Sequence, residues 1–301
     1  MRAINDLENL ISPQYPKLID RIRQLIEDSE RRFSQDADSD EEAFDSFLWE
    51  HTLHVASFAR KIALAEDVNA TEAVISALFH DSGKFFGGHY HSDDIPEEEK
   101  AARLAKEVLT EVGMDNEKID TITAALTALY NDKQPASKIT DVVHDADFLA
   151  KFGYLGVANF FVKSALRGQN LHKTLISSLS KELTYAATLK TNMRTATGKK
   201  LAEKKSAATL SYYQGLLDEL REAGIAFFEI KEEAFPCPKN PNKILTLWMA
   251  VPEACPECSG GLSMSFASQT QTKCEQLTAM IRCEQCPSQY EISFCLPEID
   301  Q

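Results

Sequence analysis

The chain has 301 residues, of which 44% are hydrophobic and 26% are charged, a composition typical of globular proteins with a packed core. Its formal net charge of −14 argues against a broad nucleic-acid-binding surface, because an acidic protein repels a polyanion. No apolar run approaches the roughly 20 residues that are needed to cross a bilayer, and the N-terminus lacks the core of a signal peptide. We therefore expect a cytoplasmic protein that does not bind membranes.

The N-terminal part of the chain predicts helices that belong to a bundle. Apolar side chains in residues 4–33 recur at helical spacing, and Pro13 and Pro16 mark a break within this stretch. Residues 34–43 are acidic and poor in apolar groups, which predicts a solvated loop; metal binding by these carboxylates is the weaker alternative. A long helix is then expected over residues 44–65, because apolar positions again recur at helical spacing.

The next predicted helix, residues 70–79, ends in adjacent His80 and Asp81. An imidazole and a carboxylate at the polar end of an apolar helix suit metal binding, since both are common ligands of divalent ions. The two side chains point in different directions from one turn of backbone, so a shared ion also needs ligands from elsewhere in the chain. For His80 and Asp81 taken alone, the alternative is an ordinary polar helix terminus.

Other parts of the chain offer such ligands in an ordered motif. The motif consists of His51 in a predicted helix, His80-Asp81 followed by Gly83-Lys84, and Asp145 in an Asp-Ala-Asp-x-Leu sequence. Over about residues 45–215 the chain thereby resembles the HD superfamily of metal-dependent phosphohydrolases. The resemblance implies a helical bundle in which one divalent ion is bound by four residues: His51, His80, Asp81 and Asp145.

The resemblance also implies roles for residues around that ion. Asp81 would bind the ion and orient an attacking water, and Lys84 would either neutralise a phosphate or pair with an acid. Asp147, two residues after Asp145, points away from it on a helix and is expected to cap a helix or pair with a basic group. Further substrate contacts are expected from four basic residues: His54, His91, Arg194 and Lys205.

The number and the identity of the metal ions are less sharply defined by the sequence. His91, with His89 as the alternative, would bind a second ion or a substrate phosphate; a flexible surface loop is the other reading of this stretch. Tyr130 stands near the position at which many two-metal relatives carry a histidine, and this departure favours a single ion. Two imidazoles and two carboxylates suit Mn, Fe, Co, Ni, Zn or Mg.

Residues 190–205 extend the resemblance. The sequence Thr195-Ala196-Thr197-Gly198, followed by Leu-Ala and Lys205, is similar to an element of an HD branch of small bacterial enzymes. The stretch holds six basic residues and a single acid, Glu203, so it could gather a phosphate-rich ligand in an otherwise acidic protein. For each individual lysine, a solvated helix face is the alternative.

The C-terminal part of the chain differs in character and holds all seven cysteines. Strand-like runs begin near residue 226, and two Cys-x-x-Cys pairs follow: Cys255 with Cys258, and Cys283 with Cys286. Two such pairs can provide four thiolates for a tetrahedral zinc ion, which predicts a zinc ribbon; a redox-active pair is the weaker alternative. The remaining cysteines are expected to be free thiols: Cys237, Cys274 and Cys295.

These patterns predict a mainly α fold with three parts: N-terminal helices (residues 1–43), an HD phosphohydrolase domain (44–224) and a β-rich zinc-ribbon module (225–301). The predicted function is hydrolysis of a phosphomonoester or phosphodiester, of a nucleotide in particular, by a metal-activated water. The alternative is a non-catalytic module that binds a metal or a nucleotide and docks a protein partner through its zinc ribbon. Nucleic-acid processing is disfavoured by the charge balance.

Overall fold

A computed structural model describes residues 2–34, 46–86, 95–131, 133–236, 244–255, 257–270 and 275–296. The described chain is mainly helical and has small antiparallel sheets in its C-terminal part, which confirms the predicted fold class. Its packing defines two compact units: residues 1–150 with 193–202, and residues 151–192 with 203–301. The predicted domain boundaries at residues 43/44 and 224/225 follow a different division and stay a prediction.

The first unit is built from helices. They are α1 (Arg2–Ile11), α2 (Leu18–Ser34), α3 (Phe47–Ala65), α4 (Ala70–Phe79), α5 (Glu97–Glu111), α6 (Asn116–Thr127), α7 (Lys138–Ala150) and the start of α10 (Ala196–Glu222). Helices α3, α4 and α7 pack against one another around fully buried side chains such as Val55, Leu78 and Val142. Burial of this apolar surface is the main stabilising term for the unit.

Polar side chains that precede these helices cap their N-termini. Ser46 Oγ accepts a hydrogen bond of 3.0 Å from the N–H of Trp49, and Asn69 Oδ1 accepts from the first turn of α4. Such caps satisfy backbone N–H groups that have no partner within the helix. They therefore help to fix where α3 and α4 begin, and hence the direction in which the polar residues of both helices point.

The second unit combines helices with strands. It contains α8 (Gly153–Leu166), α9 (Leu171–Ala187), a 3-10 turn (Leu189–Asn192), most of α10, and the strands β1 (Phe228–Pro236), β2 (Ile244–Pro252), β3 (Leu262–Thr270), β4 (Glu275–Cys283) and β5 (Gln289–Leu296). Strands β1 and β2 form one antiparallel pair, and β3, β4 and β5 form an antiparallel sheet with β4 in the centre. Among the described residues, no helix is both long and apolar enough to span a bilayer.

Two hydroxyl groups on α9 complete the hydrogen bonds of β2. Ser180 Oγ accepts from the N–H of Ala250 at 2.9 Å, and Thr184 Oγ1 accepts from the N–H of Trp248 at 2.9 Å. The two residues lie four apart, so they share one helix face. Around them, side chains of α8, α9, α10, β1 and β2 form one buried apolar cluster. The strands after residue 225 thus share a core with the helices that precede them.

Candidate metal centres

Three helices of the first unit bring two histidines and two aspartates together. His51 lies on α3, His80 and Asp81 directly follow α4, and Asp147 lies on α7. Nε2 of His51 is 3.1 Å from Oδ1 of Asp147 and 3.8 Å from Oδ2 of Asp81. Nε2 of His80 is 3.6 Å from Oδ2 of Asp81 and 3.8 Å from Oδ1 of Asp147. We call these four residues the His/Asp cluster, because their nitrogen and oxygen atoms face one small space.

His80 shows most clearly that this space suits a cation. Its Nδ1 lies 2.7 Å from the carbonyl oxygen of Ala77, which can only accept a hydrogen bond, so Nδ1 carries the proton. Nε2 is then left with a lone pair. This atom is buried and has no hydrogen-bond partner among the described residues. An unpaired buried nitrogen costs about 1–3 kcal/mol, a cost that a metal bond would remove.

The charges in the cluster also favour a cation. Burial opposes the ionisation of Asp81, but the electrostatic effects of Lys84, His80 and His51 together outweigh it and hold the pKa of that carboxyl below its ordinary value. Lys84 Nζ donates to Oδ2 of Asp81 at 2.9 Å. Burial lowers the pKa of Lys84, but the charge and the hydrogen bond of Asp81, together with the charges of Asp147 and Glu97, outweigh burial and raise it overall. Burial also lowers the pKa of His51, against the opposing effect of Asp147, and a neutral imidazole is the form that binds metals.

The second carboxylate oxygen of Asp147 has a partner of its own. The hydroxyl group of Tyr130 donates a hydrogen bond to Oδ2 of Asp147. Burial, together with the negative charge and the hydrogen bond of Asp147, raises the pKa of Tyr130 well above its ordinary value. The phenol therefore stays protonated and acts as a donor. Asp147 is a functional candidate that the sequence analysis assigned to a cap or an ion pair.

Asp145, which the resemblance predicts as the fourth ligand, lies outside this cluster. Its side chain is fully buried, and Oδ1 accepts hydrogen bonds from His144 Nδ1 at 3.0 Å and from the backbone N–H of Arg194 at 2.9 Å. Oδ2 accepts from both the backbone N–H and the hydroxyl group of Thr195, at 2.8 and 2.7 Å. The carboxylate is therefore engaged in holding the residues that precede α10, and the structure places Asp147 beside the histidines instead.

The Thr-x-x-Gly element noted in the sequence is the partner of Asp145. A Cβ atom built on Gly198 would lie only 2.2 Å from Oδ2 of Asp145, so no larger residue fits there without a shift. Thr195 Oγ1 also accepts from the N–H of Gly198 at 2.9 Å. The element thus packs its backbone directly against the buried carboxylate.

Part of the chain matches a known protein family. Residues 48–151 match the model of the HD domain family. This part of the chain is thus similar to an HD domain. HD domains bind a divalent metal ion, and the His/Asp cluster fits such a site. In three of its residues, His51, His80 and Asp81, the ligand atoms lie within 4.8 Å of one another. Among curated protein sequences, none matches the chain.

Several solved structures are similar to the chain at low identity. YpgQ from Bacillus subtilis, solved in complex with ADP, is 21% identical; the match covers 68% of this chain and 96% of YpgQ, with a TM-score of 0.48. A predicted HD superfamily hydrolase from an uncultured Thermotogales bacterium is 20% identical, with coverages of 65% and 91% and a TM-score of 0.44. An HD-superfamily hydrolase from Bacillus thuringiensis is 18% identical, with coverages of 67% and 97% and a TM-score of 0.46.

The structure places the predicted substrate-binding residues in different surroundings. His54 lies on α3 one turn after His51 and is partly buried. Arg194 belongs to the first unit, and its guanidinium group lies 3.4 Å from a carboxylate oxygen of Asp141. Lys205 belongs to the second unit, where its Nζ donates to the carbonyl oxygen of Phe152 at 2.7 Å. The predicted residues His89 and His91 lie outside the described part of the chain.

The second unit contains a cluster of four cysteines. The Sγ atoms of Cys255 and Cys286 are 3.6 Å apart, those of Cys258 and Cys283 are 3.4 Å apart, and all four lie within 4.8 Å of one another. All four are free thiols. With a Zn–S bond of about 2.3 Å, tetrahedral zinc requires S···S distances of about 3.8 Å, so the cluster fits zinc closely.

The backbone around the cysteines forms the tight turns that such a site needs. The N–H of Gln285 donates to Sγ of Cys283 at 3.3 Å, and the N–H of Cys255 donates to the carbonyl oxygen of Gly260 at 2.9 Å. Hydrogen bonds of Ser288 lower the pKa of Cys286 to about 6, which favours the thiolate form that binds metal. Cys237 and Cys274 lie outside the described residues, as does the side chain of Cys295.

Proposed function

We propose that the HD domain is a metal-dependent phosphohydrolase whose divalent ion is held by four residues: His51, His80, Asp81 and Asp147. The observation that carries this proposal is the buried, unpaired Nε2 of His80, whose lone pair is fixed by the bond from Nδ1 to Ala77. Carboxylate oxygens of Asp81 and Asp147 lie 3.6 and 3.8 Å from that nitrogen, and Nε2 of His51 lies 3.8 and 3.1 Å from the same two oxygens. Asp147 takes the place in the ligand set that the sequence resemblance gave to Asp145.

Two further groups in the site support phosphoester chemistry. A divalent ion bound here would lower the pKa of a coordinated water and offset charge on the phosphoryl oxygens. Asp81, which accepts a hydrogen bond from Lys84, is placed both to bind the ion and to orient that water. Lys84 is a fixed positive charge beside the cluster, so it can attract a phosphoryl oxygen within a protein whose net charge of −14 would otherwise repel phosphate.

The substrate we propose is a phosphomonoester or phosphodiester, of a nucleotide in particular. Arg194 supports a phosphate-binding role for the residues before α10, because Asp145 anchors its backbone and the first turns of α10 add the exposed Lys199 and Lys200. His54 and His91 stay predicted substrate contacts. Lys205 has less support, because its ammonium group already binds the carbonyl of Phe152.

The proposal is tested by metal-dependent turnover. Purified protein is assayed with Mn²⁺, Co²⁺, Zn²⁺ or Mg²⁺ against p-nitrophenyl phosphate, its bis-ester and a panel of nucleoside mono-, di- and triphosphates. We expect turnover that requires added metal and that falls by about a thousandfold in His80→Ala and Asp147→Asn, because each removes a ligand. Asp120→Asn, which alters an exposed carboxylate on α6, is the matched control and should behave like the natural protein.

Two results would contradict the proposed function. If no phosphoester in the panel is turned over with any of these metals, the proposal fails. If a nucleotide binds without turnover, and a protein co-purifies only while residues 237–301 are present, the non-catalytic alternative replaces it.

A further inference from the structure

We infer that Tyr130 is a positioning residue that selects which oxygen of Asp147 faces the metal site. The inference rests on the proposed function, since it concerns a ligand of the proposed ion. Asp147 has two carboxylate oxygens, and only one of them faces the histidines. Oδ1 lies 3.1 Å from Nε2 of His51 and 3.8 Å from Nε2 of His80, whereas Oδ2 accepts the hydrogen bond from Tyr130.

The hydrogen bond from Tyr130 gives the two oxygens of the Asp147 carboxylate different roles. A hydrogen bond from the phenol occupies a lone pair of Oδ2, so Oδ1, which faces the histidines, is the oxygen placed to bind a cation. Without the hydroxyl group, the carboxylate could rotate about its terminal torsion, which is soft and roughly two-fold. It could then offer either oxygen, or both at once. Removal of a hydrogen-bond partner that orients a metal ligand typically weakens metal binding by about 10–100-fold.

The backbone of Tyr130 gives independent support for a function. Its φ angle is +59°, in the left-handed region that bulky residues rarely adopt. Such a conformation costs on the order of 1 kcal/mol, and it persists only where the surroundings hold it. A glycine or an asparagine would fit this turn with less strain. The tyrosine is therefore explained by its side chain and not by the turn that it occupies.

The ring of Tyr130 is held at the edge of the site. Its centroid lies 5.6 Å from that of His144 and 6.2 Å from that of Phe148, both on α7 next to Asp147. Even so, 43% of the residue is exposed to solvent. The side chain thus reaches from the protein surface to a buried carboxylate. A residue needed only for packing would not require a hydroxyl group at that end.

The test is a titration with Mn²⁺ that is followed by the EPR signal of the free ion. The full chain is first loaded with one equivalent of Zn²⁺ for the cysteine cluster, since Mn²⁺ prefers oxygen and nitrogen ligands to thiolates. We expect Tyr130→Phe to weaken Mn²⁺ binding by about 10–100-fold and to alter the EPR spectrum of the bound ion. The unfolding temperature of the Mn²⁺-free protein should change little, because the ring and its packing are retained.

Two control variants separate this inference from the proposed function. Tyr154→Phe changes a residue on α8 that is 67% exposed, and it should bind Mn²⁺ like the natural protein. Asp147→Asn should abolish binding. If Tyr130→Phe binds Mn²⁺ with natural affinity while Asp147→Asn does not bind it, the role of Tyr130 is refuted and the metal site stands. If the natural protein does not bind Mn²⁺, or if Asp147→Asn retains natural affinity, the proposed ligand set fails and the inference fails with it.

Discussion

The His/Asp cluster and the cysteine cluster both fit a metal ion, but they differ in how they are built. The cysteines come from two short stretches of sequence, 255–258 and 283–286, and their four sulfur atoms fit a closed tetrahedron around zinc. The His/Asp cluster draws its groups from α3, from the end of α4 and from α7, with almost a hundred residues between the first and the last. It mixes nitrogen with oxygen, and a divalent ion held by these four groups would keep coordination positions for other molecules.

This difference indicates different roles. A closed site of four thiolates holds a fold together, because zinc has no free position for a substrate. An open site of imidazoles and carboxylates can bind water and a phosphoryl oxygen in addition to the protein. We therefore expect loss of a cysteine to act on stability and loss of a residue of the His/Asp cluster to act on chemistry. The following variants test that contrast, from the largest expected effect to the smallest.

Cys258→Ser should have the largest effect. Structural zinc contributes on the order of 10 kcal/mol to the folding of small domains, so loss of one thiolate should remove the zinc and unfold the β3–β5 sheet. Zinc content measured by mass spectrometry should fall by one equivalent, and amide protons in this sheet should exchange rapidly. Ser263→Ala, which changes an exposed residue of β3, is the control. Retention of zinc and of slow exchange in Cys258→Ser would end the assignment of a closed structural site.

The variants Asp147→Asn and Asp145→Asn should separate metal binding from stability within α7. Asp147→Asn should lose metal binding and activity while the protein stays folded. Asp145→Asn should destabilise the first unit by about 2–3 kcal/mol, because it weakens charge-assisted hydrogen bonds to a buried carboxylate, and it should still bind metal below its unfolding temperature. Denaturant unfolding and Mn²⁺ titration measure the two effects. The account is contradicted if the two variants exchange these phenotypes.

This pair also marks the limit of what the sequence could predict. The helical fold, the His80-Asp81 corner and the cysteine pairs follow from local patterns, and the structure has the expected fold class. Local sequence does not predict which of Asp145 and Asp147 lies beside the histidines, because both stand in the same short Asp-Ala-Asp sequence. It depends on the backbone around Thr195, 50 residues further along the chain, which binds Asp145 and leaves Asp147 to the histidines.

Two other features could not be predicted from the sequence, because they also depend on contacts between distant residues. The hydroxyl group of Tyr130 binds Asp147 from a residue whose backbone is left-handed, and no helical or strand pattern predicts that angle. The strands from residue 228 onward share a core with α9 through Ser180 and Thr184, which in the sequence look like ordinary polar residues of a helix. Long-range hydrogen bonds of this kind leave no periodic signal.

Lys84→Met should have an intermediate effect that falls on chemistry alone. The substitution keeps most of the side chain's length but removes the charge beside Asp81. A lost charge-assisted contact to a phosphoryl oxygen of about 1.5–3 kcal/mol corresponds to a fall in kcat/KM of about 10–100-fold. Mn²⁺ affinity should change less, because every ligand remains. Steady-state kinetics against the best phosphoester test this, with Lys61→Met on the exposed face of α3 as the control; unaltered kcat/KM would remove Lys84 from the mechanism.

Glu182→Gln should have the smallest effect, and it should act on stability alone. Burial raises the pKa of Glu182 above its ordinary value of 4.5, although nearby lysines oppose the shift. The folded state therefore favours the protonated form: this contribution to stability is complete below pH 4.5 and is lost as the pH rises through the folded-state pKa. Glutamine cannot ionise, so the variant should be the more stable protein at neutral pH. Urea unfolding at pH 4 and pH 7 measures this; an equal effect of the substitution at both pH values would contradict it.

The most direct test of the central claim is the position of a metal ion in the first unit. A crystal soaked in Mn²⁺ and measured at the manganese absorption edge gives an anomalous peak at the ion itself. We expect a peak at about 2.0–2.3 Å from Nε2 of His51, Nε2 of His80, a carboxylate oxygen of Asp81 and Oδ1 of Asp147. An ion bound by Asp145, or a His/Asp cluster that stays empty at saturating Mn²⁺, would contradict the account.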